Sequence, residues 1–165
     1  MKQKIKKSAV EIVKFLIILT ILANIISYYK SSDLNKNQLE LNNITLLDNV
    51  QYKLPNNKPV LIHFWATWCP ICKVEAPNIQ TLSKDYEVIT IAVGSGDDDT
   101  IKEYLKENSL DFKVINDYDS QLAEKFNITV YPTTLIYDHK RNLQFSEVGY
   151  TSTIGLYLRM WWANF

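Results

Sequence analysis

Two cysteines, Cys69 and Cys72, are the only thiols in this 165-residue chain, and two residues separate them. They follow an apolar run and precede a helical pattern, so we expect Cys69 at the first turn of a helix. Unpaired backbone N–H groups and the positive end of the helix dipole favour a thiolate there, and the thiolate is the nucleophilic form of cysteine. The second sulfur, one turn further on, can close an intramolecular disulfide. The pair therefore predicts a two-electron thiol–disulfide switch.

The pattern around the cysteines alternates strand and helix. Residues 60–66 are nearly all apolar, as in a central strand covered on both faces. We expect short strands at 44–47 and 50–54, a helix at 70–85, a strand at 88–93, a helix ending near 108, a strand at 112–115, a short helix at 120–126, a hairpin of 133–137 and 143–148, and a final helix capped by Thr151 or Ser152. This order predicts an α/β sandwich, a mixed sheet with helices on both faces.

Charge is distributed unevenly along the chain. The 18 basic and 18 acidic residues cancel overall, but residues 1–30 hold six lysines and one glutamate. A basic head on an acidic body is typical of targeting rather than nucleic-acid binding, and the body has no basic stripe with interleaved aromatics. Three aspartates, Asp97, Asp98 and Asp99, suit the first turn of a helix better than a metal site.

The head has the pattern of a membrane anchor. Residues 10–29 form an apolar stretch of about 20 residues, long enough to span a bilayer, and four lysines precede it. Lysines on that side predict a cytoplasmic N-terminus and a body on the far side. A cleaved signal peptide and a buried soluble helix are the alternatives, although no A-x-A-like cleavage site follows the apolar run.

Three segments follow from this organisation. Residues 1–30 are predicted to be a cytoplasmic tip and transmembrane signal anchor, in contact with lipid through 10–29. Residues 31–43 are polar and are predicted to be a linker. Residues 44–165 are predicted to be one folded domain, with its cysteines in an oxidising, extracytoplasmic (periplasmic) compartment.

The chain resembles the thioredoxin superfamily from residue 59 to its C-terminus. The resemblance lies in a buried strand leading into Trp68-Cys69-Pro70-Ile71-Cys72, in Pro77, in a Val130-Tyr131-Pro132-Thr133 segment, and in Gly149 before the last helix. More narrowly, residues 64–77 are similar to the WCxxCxxExP pattern of the TlpA/ResA branch, which includes ScsD-like and DsbE-like members. The resemblance implies a thioredoxin-like three-layer sandwich and a thiol–disulfide oxidoreductase acting on protein thiols.

The resemblance also implies a role for each matching residue. Cys69 is expected to be the exposed attacking thiolate and Cys72 the buried resolving thiol. Tyr131-Pro132 is expected to be a cis peptide bond, an ordinary trans proline being the alternative. The residues expected to contact substrate are Trp68, Pro70, Ile71, Tyr131 and Pro132.

Two further positions are candidates for handling protons. His63 stands where the family has a buried acid; it is either a neutral core histidine or a proton relay for Cys72. Glu75, one helical turn after Cys72, is either a solvated helix residue or a proton-handling group whose charge raises a thiol pKa. Val130 also departs from the family, many of whose members have glycine at that position.

The predicted reaction needs no cofactor or metal. The resemblance favours a reductant that receives electrons from a membrane thiol partner and serves cytochrome c maturation or disulfide reduction. A disulfide oxidase or isomerase and a copper-tolerance redox protein are alternatives within this chemistry. A Cu(I) carrier that uses both thiolates and a redox-inert interaction domain belong to other classes.

Overall fold

The computed structural model describes residues 11, 14, 15, 18, 38, 39, 41 and 43–165. The elements within 43–165 are β1 (Asn43–Thr45), β2 (Gln51–Lys53), β3 (Val60–Trp65), α1 (Pro70–Leu82), β4 (Glu87–Val93), α2 (Asp98–Glu107), β5 (Lys113–Asp117), α3 (Gln121–Lys125), β6 (Thr133–Tyr137), β7 (Leu143–Val148) and α4 (Thr153–Ala163). The strand–helix alternation predicted around the cysteines is confirmed.

The central sheet has five strands in the order β5-β4-β3-β6-β7. Strands β3, β4 and β5 are parallel, and β6 and β7 add to the β3 edge as an antiparallel hairpin. Strand β3, which is wholly buried, therefore lies in the middle and delivers the cysteines at its carboxyl end. Its continuous apolar run reflects burial on both faces.

Alternate residues of β3 pack into two separate cores. Leu61 and Trp65 belong to the core that contains residues of α1, α2 and α4. Ile62 and Phe64 face the opposite core, which contains Ala123 of α3. The protein is thus a thioredoxin-like α/β sandwich with a mixed sheet, as predicted, and α1 lies on the side with three helices.

The first residues of the domain differ from the prediction. Strand β1 ends at Thr45 instead of residue 47, because a 3-10 turn begins at Leu47. Asp48 and Asn49 in this turn have positive φ angles of 58° and 59°, a conformation that aspartate and asparagine adopt more readily than most residues. The resulting two-stranded sheet of β1 and β2 is separate from the main sheet.

The predicted anchor and most of the linker lie outside the described residues. Within the residues that the structure describes, no helix is long and apolar enough to cross a bilayer. Glu11 and Lys14, near the start of the apolar stretch, form an ion pair of 3.1 Å. Leu39, inside the predicted linker, is buried, and its N–H donates to the Arg141 carbonyl at 3.0 Å.

Candidate redox site

The two cysteines lie at the start of α1, where the expected chemistry requires them. Cys69 is the N-cap residue, with extended backbone angles, and Pro70 occupies the first turn. Proline fits this position because its missing N–H has no helical acceptor there. The Cys72 N–H points at the Cys69 Sγ at 3.2 Å, and the two sulfurs form a disulfide with 5.3 Å between the Cα atoms. The same N–H can stabilise a thiolate after reduction.

Burial of the sulfurs corrects one expectation. Cys69, predicted to be exposed, is only 6% exposed, against 1% for Cys72. Both belong to the core beneath α1, and Tyr131 packs against that core. Cys69 is less exposed than predicted because it packs into this core, whose residues come from distant parts of the chain. Cys69 is nevertheless the more accessible residue of the pair.

An apolar rim lies beside the disulfide. Trp68, Pro70 and Ile71 are exposed. The Trp68 Nε1–H donates to the Gly94 carbonyl at 3.1 Å, and its ring meets the Tyr131 ring edge-on with 5.8 Å between centroids. Exposed aromatic and aliphatic groups around a reactive sulfur are suited to contacting an extended polypeptide.

The segment opposite the cysteines contains a cis peptide bond between Tyr131 and Pro132. The Pro132 carbonyl accepts from the Gly149 N–H at 2.8 Å, and the Val130 carbonyl accepts from the Thr133 hydroxyl at 2.7 Å. The cis bond is the one that the resemblance implied. Because Thr133 pairs with Phe64 at the end of β3, this segment lies at the same edge of the sheet as Cys69.

Glu75 is fully buried, which rules out the solvated alternative. Its Oε1 accepts from the Thr151 N–H at 2.9 Å, whereas its Oε2 has no hydrogen-bond partner among the described residues. Burial raises the pKa of Glu75 from 4.5 to about 7, against the lowering effect of the Thr151 N–H, and the charge of Glu147 raises it further. Glu75 thus titrates near neutral pH, one helical turn from Cys72.

His63 occupies a different environment within the same core. It pairs with Thr90 and Thr134 on the neighbouring strands, and its Nδ1 lies 2.9 Å from the Thr134 Oγ1. Burial lowers the pKa of His63 from 6.5 to about 3, so the imidazole is neutral at neutral pH. This geometry favours a neutral core histidine, and the relay role remains a prediction.

The predicted interpretation of the aspartate triplet is confirmed. Asp97 is the N-cap of α2, and its Oδ1 accepts from the Thr100 N–H at 2.9 Å. Asp98 and Asp99 follow in the first turn of the helix. These carboxylates interact with the positive end of the α2 dipole.

Residues 31–146 match the family model described as AhpC/TSA family. The chain belongs to the AhpC/TSA family. A thioredoxin-like protein of Haemophilus influenzae is 36% identical over 133 residues, which are 76% of this chain and 78% of that protein. The thiol-disulfide oxidoreductase ResA of Oceanobacillus iheyensis is 31% identical over 104 residues, 60% of this chain and 53% of ResA.

A solved structure agrees with the thioredoxin-like fold. The crystal structure of a secreted Mycobacterium tuberculosis disulfide oxidoreductase, described as homologous to DsbE of E. coli, superposes with a TM-score of 0.61 at 23% identity. The match covers 72% of this chain and 93% of that chain, and at this identity it shows the fold alone. The family match and the sequence similarity to ResA, together with this fold, identify the chain as a thiol–disulfide oxidoreductase of the TlpA/ResA-like branch.

Sequence analysis missed the groups that hold the two buried ionisable residues in place. Thr151 was assigned only as a possible helix cap, yet its N–H donates to Glu75, while Ser152 is the N-cap of α4. Thr134 lies beside His63. Its position two residues after the cis proline was the signal in the sequence that could have identified it. No local pattern linked Glu147, on β7, to Glu75, on α1, since the two residues are far apart in the sequence.

Proposed function

We propose that this protein is a membrane-anchored, extracytoplasmic thiol–disulfide oxidoreductase that reduces protein disulfides through Cys69 and Cys72. The observation that carries the proposal is the Cys72 N–H directed at the Cys69 sulfur at the beginning of α1. That N–H and the helix dipole favour the Cys69 thiolate, which is the attacking species in disulfide exchange. Reduction of an apocytochrome during cytochrome c maturation is the leading specific role.

The reaction proceeds by two displacements. The Cys69 thiolate attacks one sulfur of a substrate disulfide, forms a mixed disulfide and releases the other substrate sulfur as a thiolate. Cys72 loses its proton and attacks the Cys69 sulfur, which releases the second substrate thiolate and leaves the Cys69–Cys72 disulfide. Two electrons pass to the substrate, and a dithiol of a membrane partner restores the reduced enzyme by the reverse exchange.

Glu75 is proposed to take the proton that Cys72 must lose. It lies one turn further along α1, and its Oε2 has no partner among the described residues, so this oxygen is available for a proton. A group with a pKa of about 7 is poised to accept and release protons at neutral pH. When ionised, Glu75 disfavours a second negative charge on Cys72, so proton transfer and thiolate formation are coupled.

The substrate is proposed to lie across the rim formed by Trp68, Pro70, Ile71 and Tyr131. The backbone next to Pro132 would meet the substrate chain beside the reacting sulfur. The apolar character of the rim, with Trp68 held against the Gly94 carbonyl, favours an unfolded or extended polypeptide as the substrate.

The location rests on the sequence of the head. Residues 10–29 have the length and apolar character of a spanning helix, and the lysines before them favour a cytoplasmic N-terminus. A relative whose crystal structure matches the fold is described as secreted. We therefore place the catalytic domain on the outer side of the cytoplasmic membrane.

Trapping in the native host tests the proposed function. In Cys72→Ala the mixed disulfide on Cys69 cannot be resolved, so mass spectrometry of the trapped species identifies the substrate. Recovery of apocytochromes or their maturation factors supports the reductant role, whereas recovery of newly exported proteins supports an oxidase. Cys69→Ser is the matched control and should trap nothing.

Insulin reduction separates an enzyme from a Cu(I) carrier. The reduced full chain should turn over repeatedly with a chemical dithiol, and Cys69→Ser should lower the rate at least 10³-fold, to the rate of the dithiol alone. Stoichiometric copper retention without turnover would contradict the proposal, because two thiolates also suit Cu(I).

A further inference from the structure

The last helix, α4, has an apolar outer face. Its exposed side chains between Ile154 and the C-terminus are apolar with one exception, Asn164. We define the α4 stripe as the residues Ile154, Leu158, Trp161, Trp162 and Phe165, which are 54–83% exposed. The spacing of Ile154, Leu158, Trp161 and Trp162 keeps these four on one side of α4, and Phe165, just beyond its end, contacts the Trp161 ring with 5.0 Å between centroids.

The opposite face of α4 already fills the core. Leu156, Met160 and Ala163 are buried against the sheet. A helix that is apolar on every side is normally buried, and a surface helix normally carries charged residues outward. Within α4 the charged residue is Arg159, whose Nε donates to Glu147 at 2.7 Å. The α4 stripe therefore does not contribute to the domain core. Its apolar composition is typical of a binding surface.

Helix α4 runs from the cysteine end of the molecule to the opposite end. Near its start, the Thr151 N–H donates to Glu75, and further along, the Tyr157 hydroxyl contacts Asp85 beyond the end of α1. Trp161, Trp162 and Phe165 thus lie at the end away from Cys69. The turn between β6 and β7, where Leu39 bonds to Arg141, lies at that same end.

The length of the linker limits how far the domain can lie from a membrane that residues 10–29 span. If residues 10–29 span the bilayer, about ten residues separate the span from Leu39, and they reach at most about 35 Å when fully extended. Tethering at this distance gives the stripe a high effective concentration at the lipid surface, so weak intrinsic affinity suffices. Tryptophan is also enriched at the interface between lipid and water.

We propose that the α4 stripe lies in the interfacial layer of the lipid bilayer that anchors the chain. This inference rests on the anchor included in the proposed function. Helices α1 and α4 share one face of the sheet, so a lipid-bound α4 keeps the start of α1 beside the membrane surface. Cys69 then lies close to the membrane surface, within reach of thiols of membrane-embedded partners. The aspartates at the start of α2 remain in water.

Tryptophan quenching in vesicles tests the contact with lipid. The full chain is reconstituted in phosphatidylcholine vesicles with or without bromine on the acyl chains near the headgroup. We expect brominated lipid to quench wild-type emission, and we expect Ile154→Asp with Leu158→Asp to reduce that quenching at least twofold. This double variant retains all four tryptophans. Val50→Asp, at an exposed apolar position outside the stripe, is the matched control and should be quenched like wild type.

The outcomes separate this inference from the anchor itself. A chain that does not float with vesicles overturns both the anchor and the lipid contact. A chain that floats but is quenched equally in wild type and double variant overturns the lipid contact alone, as does cross-linking of two copies through the stripe. Insulin reduction by the double variant at the wild-type rate verifies that it folds, and Leu158→Asn provides a milder change of the same sign.

Discussion

Glu75 on α1 and His63 on β3 are two buried ionisable groups whose hydrogen bonding differs. His63 has Thr134 as a hydrogen-bond partner at its Nδ1, whereas one oxygen of Glu75 lacks any partner among the described residues. Burial favours the neutral form of both, lowering the pKa of His63 to about 3 and raising that of Glu75 to about 7. Only the glutamate therefore changes charge near neutral pH.

This contrast is the basis for proposing a structural role for His63 and a proton-handling role for Glu75. A buried histidine that stays neutral throughout the working pH range is expected to stabilise the core without exchanging protons in the reaction. A buried carboxyl group that titrates near pH 7 can exchange protons in each catalytic cycle. Burial alone thus does not show whether a group handles protons. The relevant quantity is how close its shifted pKa lies to the working pH.

The largest expected effect is on stability through His63. The pKa of His63 in the folded chain lies below its unfolded value of 6.5, so the unfolded chain binds more protons between pH 3 and 6.5. Its contribution is present above pH 6.5 and is lost as pH falls, by up to about 5 kcal/mol. His63→Gln, which retains hydrogen-bonding capacity toward Thr134, should flatten this acid loss. Denaturant unfolding of the oxidised chain from pH 4 to 7 measures how the free energy of unfolding depends on pH. The same slope in wild type and His63→Gln would contradict the lowered pKa of His63.

Glu75 should give a smaller pH dependence of opposite sign. Its folded-state pKa of about 7 exceeds the ordinary 4.5, so the folded chain binds more protons between these values. The contribution is complete below pH 4.5 and is lost as pH rises through 7, about 3 kcal/mol in all. Glu75→Gln should remove this loss in the same unfolding series. Equal slopes in wild type and variant would show that Glu75 is already ionised at acidic pH.

The rates of insulin reduction by variants of Glu75 and His63 should differ by about 10²-fold. This factor is at the lower end of the range for loss of a general base. Glu75→Gln should slow insulin reduction by about that factor at pH 7 and remove the inflection near pH 7. His63→Gln should keep both the rate, within about threefold, and the inflection. If the histidine variant loses the inflection instead, proton transfer runs through His63 and the comparison is reversed.

The smallest effect concerns the ion pair beside Glu75. Arg159 neutralises Glu147, whose charge raises the pKa of Glu75. Arg159→Gln should leave Glu147 unneutralised and move the Glu75 inflection to higher pH by less than one unit. Lys102→Gln, which breaks an ion pair with Asp48 elsewhere on the surface, should leave the inflection in place. A shift to lower pH in Arg159→Gln would contradict this coupling.

The sequence predicted the elements that depend on local pattern. Strands β6 and β7 have the predicted boundaries, and the continuous apolar run of β3 identified the buried centre of the sheet. The WCxxC segment placed Cys69 at a helix start because capping is determined within a few residues. The resemblance implied the cis bond before Pro132, which no local pattern in this chain indicates.

What the sequence could not predict depends on packing between distant residues. Glu75 is buried and bonded to the Thr151 N–H, which lies 76 residues further on, just before α4. Likewise, the low exposure of Cys69 depends on the packing of its core, which includes residues from distant parts of the chain. The exposure of the α4 stripe also required the structure, since its residues are as apolar as those that α4 buries.

Alkylation of the reduced chain tests the central claim most directly. Iodoacetamide labelling at a series of pH values, with each cysteine measured separately by mass spectrometry, reports the thiolate fraction of Cys69 and Cys72. The account predicts that Cys69 reacts at least tenfold faster than Cys72, with a midpoint below 8.5, the ordinary pKa of a cysteine. A Cys69 midpoint at or above that value, with both sulfurs reacting equally, would contradict the account.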